Sequence, residues 1–196
     1  MRPDPFLQAG VDEAGRGPLA GPVVVAAVIL PVRYDLAALD DSKRLTALSR
    51  ERLVPQIEAQ AVAYAVEFVE ADEIDRINIL RATLNGMQRA VEKLRPAPHE
   101  VLIDGNRAPR LSCNVQTVVG GDRLVASISA ASVLAKVYRD RLMMAMHERY
   151  PDYGFDQHKG YPTPLHLERL KALGPCPIHR KSFAPVRRAI EAGFDF

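Results

Sequence analysis

The chain has little cysteine, little net charge and no long apolar run. Its two cysteines, Cys113 and Cys176, lie far apart among 196 residues and lack the spacing of a metal knuckle. They read as reduced thiols of a cytosolic protein, with a disulfide left open as the alternative. A net charge of +2 permits an anionic partner without demanding one. The opening Met1-Arg2-Pro3-Asp4-Pro5 has no apolar core of a signal peptide, and no later stretch is apolar enough to cross a bilayer. No repeat, low-complexity tract or linker divides the sequence. Residues 1–196 are therefore expected to form a single cytoplasmic domain without membrane contact. At 47% hydrophobic and 26% charged residues it is ordinary for a chain long enough to bury a good core.

Against that plain background one stretch stands out, Gly10-Val11-Asp12-Glu13-Ala14-Gly15-Arg16-Gly17-Pro18, which runs into the apolar Val23–Leu30. Two adjacent carboxylates close a short strand. Regular alternation sends Asp12 and Glu13 to opposite faces, so both reach one site only if the strand ends or twists there. The Gly-Arg-Gly turn allows that, and Gly15 and Gly17 let backbone N–H groups approach a ligand closely. A hairpin turn with solvated acids is the alternative for this stretch taken alone.

In order, residues 7–12 and 20–30 read as two strands, and Thr46 to about Gln60 as a helix in spite of Pro55. Val62, Tyr64, Val66 and Phe68 alternate, predicting a strand over 61–69 with one buried face. Ala71 to Leu94 predicts one long helix, with Ile77, Leu80, Leu84, Met87 and Val91 at helical spacing and Pro96 and Pro98 beyond its end. Val101-Leu102-Ile103 reads as a central strand that delivers Asp104 ahead of Gly105. Another strand covers about Asn114 to Val119, and Gly120-Gly121-Asp122 turns into a helix reaching about Tyr150. Residues 151–162 read as a polar loop, Pro164–Leu173 as a short helix and Ser182–Ile190 as the last one. The class is α/β.

Ligand sites of open α/β sheets collect at the carboxyl ends of strands, where Asp104 falls. Asp12 and Glu13 close the first strand and Asp122 opens the helix after the fifth. Acidic groups gathered there repel one another unless cations join them. Oxygen donors without nearby Cys or His favour Mg²⁺ or Mn²⁺ over zinc. Two such ions about 4 Å apart would clamp attacking and leaving oxygens of a phosphoryl displacement. Taken singly, Asp122 also suits a helix N-cap and Asp104 a turn. On the helix after Asp122, Leu124, Ile128, Leu134 and Tyr138 are expected to pack inward. Ser129, Ser132 and Lys136 share another side and suit a nucleic-acid backbone beside small alanines. Lys43 and Lys159 offer further phosphate contacts or are solvated lysines. Tyr161 is placed either to stack on a nucleotide or to anchor its loop.

The chain resembles ribonuclease HII, the type 2 ribonuclease H family. The resemblance rests on residues 10–22 and on Asp41-Ser42-Lys43-Arg44-Leu45, Ile103-Asp104-Gly105-Asn106, Gly121-Asp122, Ile128–Lys136, His158-Lys159-Gly160-Tyr161 and His179–Pro185. It implies a ribonuclease H-like fold, a mixed five-stranded sheet flanked by helices. It implies Mg²⁺- or Mn²⁺-dependent endonucleolytic cleavage of the RNA strand of RNA–DNA hybrids and at single ribonucleotides in duplex DNA. Products would carry 5′-phosphate and 3′-hydroxyl ends, serving ribonucleotide removal in replication and repair. By the same resemblance Asp12, Glu13, Asp104 and Asp122 are the catalytic, metal-binding acids, with two ions engaged during catalysis. Gly15, Arg16 and Gly17 would read the ribose 2′-hydroxyl, which tells RNA from DNA. Tyr161 would check the neighbouring deoxyribose, and Lys43, Ser132 and Lys136 would contact the substrate backbone. Arg44 departs from the family's more usual lysine and keeps the charge. Type 3 enzymes carry an extra N-terminal domain, for which a motif starting at residue 10 leaves no room. A monomer is expected. The competing readings are a catalytically inactive nucleic-acid-binding module of the same fold and a small-molecule phosphatase.

Overall fold

The structure is a computed structural model that describes residues 6–36, 39 and 45–193. Five strands, β1 (Gln8–Ala14), β2 (Val23–Ile29), β3 (Ala63–Val69), β4 (Glu100–Asp104) and β5 (Asn114–Val118), form one sheet in the order β3-β2-β1-β4-β5. The β1–β2 and β2–β3 pairs are antiparallel, while β1–β4 and β4–β5 are parallel. The mixed five-stranded sheet expected from the resemblance is present. β2 lies fully buried along all seven residues, as a continuous Val/Ala/Ile run buried on both faces must.

Helices cover both faces. On one, α1 (Ala47–Gln60) and α5 (Ala126–Arg149) pack Leu53, Val54, Ile57, Ala130 and Leu134 on Ala26 and Val28. On the other, α3 (Ile79–Lys93) lays Met87, Ala90 and Val91 against Ala9, Val11, Val25 and Ile103. Gly10 is what lets α5 come so close. A Cβ there would sit 2.2 Å from the backbone N of Ile128.

Several elements depart from the sequence reading. The long helix expected over 71–94 is two, α2 (Ala71–Ile77) and α3, because Asn78 between them takes φ 69° and its side chain accepts the Arg81 N–H at 3.1 Å. Asparagine is among the few residues that visit this left-handed region readily. Val125, extended, likewise separates α4 (Gly121–Leu124) from α5. Gly120 holds the cap position at φ 70°, so Asp122 lies in the first turn of α4 rather than at its cap. On β3 the buried residues are Ala65 and Val69, whereas Tyr64 and Phe68 face outward, with the ring of Tyr138 edge-on to Phe68 at 6.5 Å. Residues 151–162 are not a polar loop. They hold a 3-10 turn (Pro151–Tyr153) and α6 (Phe155–His158), whose Tyr153 and Phe155 stack at 5.4 Å in a core with Met143 and Cys176. Helices α7 (Pro164–Leu173) and α8 (Ala184–Glu191) close around Leu19, Leu170 and Val186. Both cysteines are free thiols. Among the described residues no helix is long and apolar enough to cross a membrane.

Candidate active site

The parallel pairing of β1 with β4 ends on Val11 opposite Ile103. One residue further along each strand come Asp12 and Asp104. Val11 and Ile103 pack together on the α3 side, so alternation turns both aspartates to the α5 side. Neighbouring strands lie about 4.8 Å apart, which sets two carboxylates side by side at the sheet's rim. Glu13 follows at the strand's end, and its backbone N–H donates to Asp12 Oδ1 at 2.7 Å. β1 itself continues to Ala14 along β2, and only its pairing with β4 stops at Val11, so Glu13 reaches the cleft at a rim that β4 no longer covers.

This acidic rim is buried and self-repelling. Asp12 is 7% exposed. Desolvation first, then the Glu13 charge, push its pKa up to about 7, with Asp104 adding to the rise and the Ser132 hydroxyl and Glu13 N–H opposing it. Burial also raises Glu13; Arg16, whose Nη1 donates to Glu13 Oε1 at 3.3 Å, offsets part of that, and the Asp104 charge adds to it. Asp104 Oδ1 is buried without a hydrogen-bond partner. A buried acceptor with no donor beside other acids suits a hard cation, whose bonds replace the missing ones. Among the described residues no three His, Cys, Asp or Glu side chains already stand at metal-binding spacing. The donor chemistry, hard carboxylate oxygens with one orphaned acceptor, is that of a divalent-ion site.

Above the rim opens a cleft of about 370 Å³, lined by Glu13, Gly15, Arg50, Asp122, Ser132, Lys136 and Tyr161 among others. Ser132 and Lys136 stand on its α5 wall as expected, with Lys136 held by Asp140 at 2.8 Å. Ser129 does not join them. It is buried, and its hydroxyl donates to the Leu39 carbonyl at 3.0 Å. Leu124, expected inside, is 73% exposed because the break at Val125 takes α4 off the axis of α5. Lys43 lies outside the described residues.

Tyr161 is 41% exposed, its ring beside the Arg139 guanidinium at 5.8 Å and close to Gly17. Its backbone is fixed: the Tyr161 N–H donates to the His158 carbonyl at 2.9 Å, and its own carbonyl accepts from Thr163 N–H and His166 Nδ1. The loop is anchored through the main chain and leaves the ring at the cleft. The two glycines of the Gly-Arg-Gly turn differ. Gly15, at φ 96°, lies so near Arg139 that a Cβ would fall 2.0 Å from Nε. At Gly17 a Cβ would meet only Tyr161 at an ordinary 3.7 Å.

Three arginines escape a reading by motif. Arg50 joins the cleft wall from α1. Arg139 and Arg180 are fully buried, and among the described residues their hydrogen bonds go to backbone carbonyls: Arg139 to those of Pro22, Lys159 and Ala20, Arg180 to those of Gly21, Arg16 and Gly15. Desolvation lowers both, Arg180 to about 9, which leaves it charged at neutral pH. Arg180 falls within the His179–Pro185 stretch, but nothing in the sequence points it at residues 15 and 16.

A model of the family described as Ribonuclease HII matches residues 9–186 of this chain. The Ribonuclease HII of Bordetella avium (strain 197N) is 60% identical over 179 residues, covering 91% of this chain and 89% of that protein. The ribonuclease H2 from Pyrococcus horikoshii OT3 has a solved structure similar to this one with a TM-score of 0.80 at 28% identity, over 95% of this chain and 98% of that chain. Bst-RNase HIII, solved in complex with Mn²⁺, shares the fold with a TM-score of 0.70 at 20% identity, over 95% of this chain and 70% of its own.

Proposed function

The chain belongs to the ribonuclease HII family and is a ribonuclease H endonuclease, and from that premise we propose that it cuts RNA strands of RNA–DNA hybrids and single ribonucleotides embedded in duplex DNA. The family depends on a divalent metal, and for this chain we assign that role to Mg²⁺ or Mn²⁺. The observation that carries the reading is one cleft lined by Glu13, Gly15, Asp122, Ser132 and Tyr161, with the buried Asp12 beside Glu13 and Ser132.

In this reading Asp12, Glu13, Asp104 and Asp122 would hold the metal. When bound, the metal would activate water and stabilise the leaving oxygen of an in-line displacement at phosphorus. The remaining steps belong to the protein. Glu13 N–H fixes the Asp12 carboxylate, and the Ser132 hydroxyl beside Asp12 favours its ionised form. The N–H groups of the Gly15–Gly17 turn grip the ribose 2′-hydroxyl, and Gly17 leaves the space for it. Tyr161 presents its ring to the adjoining deoxyribose. Lys136, Arg50 and Lys43 contact the phosphate backbone. Products carry 5′-phosphate and 3′-hydroxyl ends.

A metal-free binding module would share the cleft but would have no use for a desolvated acidic rim. A titration of Mg²⁺ or Mn²⁺ against a labelled RNA–DNA hybrid separates the two readings. Cleavage should rise from zero with the ion, and the ion should raise the melting temperature of the wild type by mass action, about 2.7 kcal/mol at a hundredfold excess over its dissociation constant. Binding of hybrid without ion-dependent cleavage would leave only the module.

A further inference from the structure

We propose that Arg180 is a positioning residue for ribose recognition: from the buried side it orients the two peptide groups whose N–H atoms meet the 2′-hydroxyl. This rests on the reading that the Gly15–Gly17 turn recognises ribose. Arg180 is fully buried. Its Nη2 donates to the Gly15 carbonyl at 2.6 Å and its Nη1 to the Arg16 carbonyl at 3.0 Å, 164 residues away, while Nε donates to Gly21 at 2.9 Å. The only cis peptide among the described residues is Arg95–Pro96, so the 15–16 and 16–17 peptides are trans. In a planar trans peptide the C=O and N–H point in opposite directions. Two successive carbonyls drawn onto one inward guanidinium therefore turn the N–H groups of Arg16 and Gly17 outward.

Among the described residues neither N–H has an acceptor. Two consecutive N–H groups facing one way form a concave donor pair suited to an anion or a hydroxyl oxygen. Gly15 lines the cleft, and its φ of 96° is a left-handed backbone that glycine adopts without a side-chain penalty. A guanidinium suits this task because its rigid fork fixes two acceptors at once, which a lysine ammonium does not. A carboxylate partner would have held Arg180 equally well in a merely structural role. Three carbonyls of the recognition turn and its continuation hold it instead.

The test compares two duplexes, all-DNA and the same sequence with one ribonucleotide, bound in Ca²⁺ so that neither is cut. Ca²⁺ is larger than Mg²⁺ and takes looser coordination, which spoils the in-line geometry. The readout is the ratio of the two dissociation constants, with melting temperature recorded alongside. Wild type should favour the ribonucleotide duplex. In R180K and R180Q the ratio should fall toward one, on the order of tenfold for the lost alignment of two donors, with all-DNA binding nearly unchanged. A ratio kept at the wild-type value, or both duplexes weakened equally, overturns the inference. A wild-type ratio of one instead overturns the reading of the turn on which it rests. Should neither variant fold, amide exchange on the wild type decides: Arg16 and Gly17 N–H should exchange fast in the free protein and slow only with the ribonucleotide duplex. Slow exchange in the free protein would overturn the outward orientation.

Discussion

At the scale of single residues, chemistry and conformation can be separated by substitution. Asp104→Asn keeps shape and removes one charge from a rim where Asp12 and Glu13 both feel it. Cleavage should be abolished and duplex binding kept, while the melting temperature in chelator holds or rises as repulsion is relieved. Near-normal turnover in Mg²⁺ would remove Asp104 from the site. Gly15 and Gly17 should part company. Gly15→Ala forces a side chain into a left-handed backbone and onto Arg139, at a cost of about 1–3 kcal/mol or more. Gly17→Ala fits the free protein, since its Cβ meets nothing closer than 3.7 Å, so its melting temperature should stay put while cleavage collapses. Equal destabilisation of both would make Gly17 structural. The sequence showed that two glycines flank Arg16; only φ and the position of Arg139 show that they do different work.

Among the elements, what was legible followed from local pattern and what was hidden followed from tertiary context. The all-buried β2, the Val101–Ile103 strand delivering Asp104 and the helix capped at Thr46 all stand where sequence placed them. The helix break at Asn78 was masked by apolar spacing that continues across it; one residue's tolerance of positive φ outweighs that periodicity. On β3 the alternation was real but Tyr64 and Phe68 took the more exposed face, while Ala65, Val69 and Glu67, the last paired with Arg89 and Lys93, face α3. Helix α5 is buried on most sides, so its polar side narrows to Ser132 and Lys136 and loses Ser129. Residues 151–162 were unreadable because their rings pack against His166, His179 and Cys176, which lie far along the chain. For α5 the account predicts that Lys136→Ala makes the salt dependence of hybrid binding shallower by about one unit of log–log slope. Its Asp140 pair is no obstacle, since a partly exposed i,i+4 pair exchanges readily for phosphate. Filter binding across a salt series checks this; an unchanged slope would make Lys136 a solvated lysine.

In the whole molecule a buried carboxylate and two buried imidazoles pull stability in opposite directions with pH. Asp12, raised to about 7, binds its proton more tightly folded than unfolded, so without metal its contribution grows as pH falls from about 7 toward 3.8. His179 and His166 join Nε2 to Nε2 at 3.0 Å; the Cys176 N–H donates to His179 Nδ1, and His166 Nδ1 is paired with the Tyr161 carbonyl. Desolvation lowers them to about 3 and about 4, so both fold neutral. Their stability is present above the unfolded value of 6.5 and is lost as pH falls below it. Asp12→Asn removes one opposing group and leaves Glu13, which burial also raises. In chelator that variant should lose on the order of 10 °C between pH 7 and pH 5, at about 1.4 kcal/mol per imidazole per pH unit below 6.5, and wild type less. Scanning calorimetry decides, and a flat profile in the variant would show that the imidazoles do not hold the Tyr161 loop as drawn. In the proposed function one cleft joins an acidic metal site to a ribose-reading turn. The most direct measurement is incubation with Mg²⁺ of end-labelled duplex DNA carrying one ribonucleotide, beside its all-DNA twin, with every cut mapped to the nucleotide. One incision is expected, at the ribonucleotide, leaving 5′-phosphate and 3′-hydroxyl ends, and none in the twin. Cuts in both duplexes, or in neither while long hybrid is degraded, would contradict it.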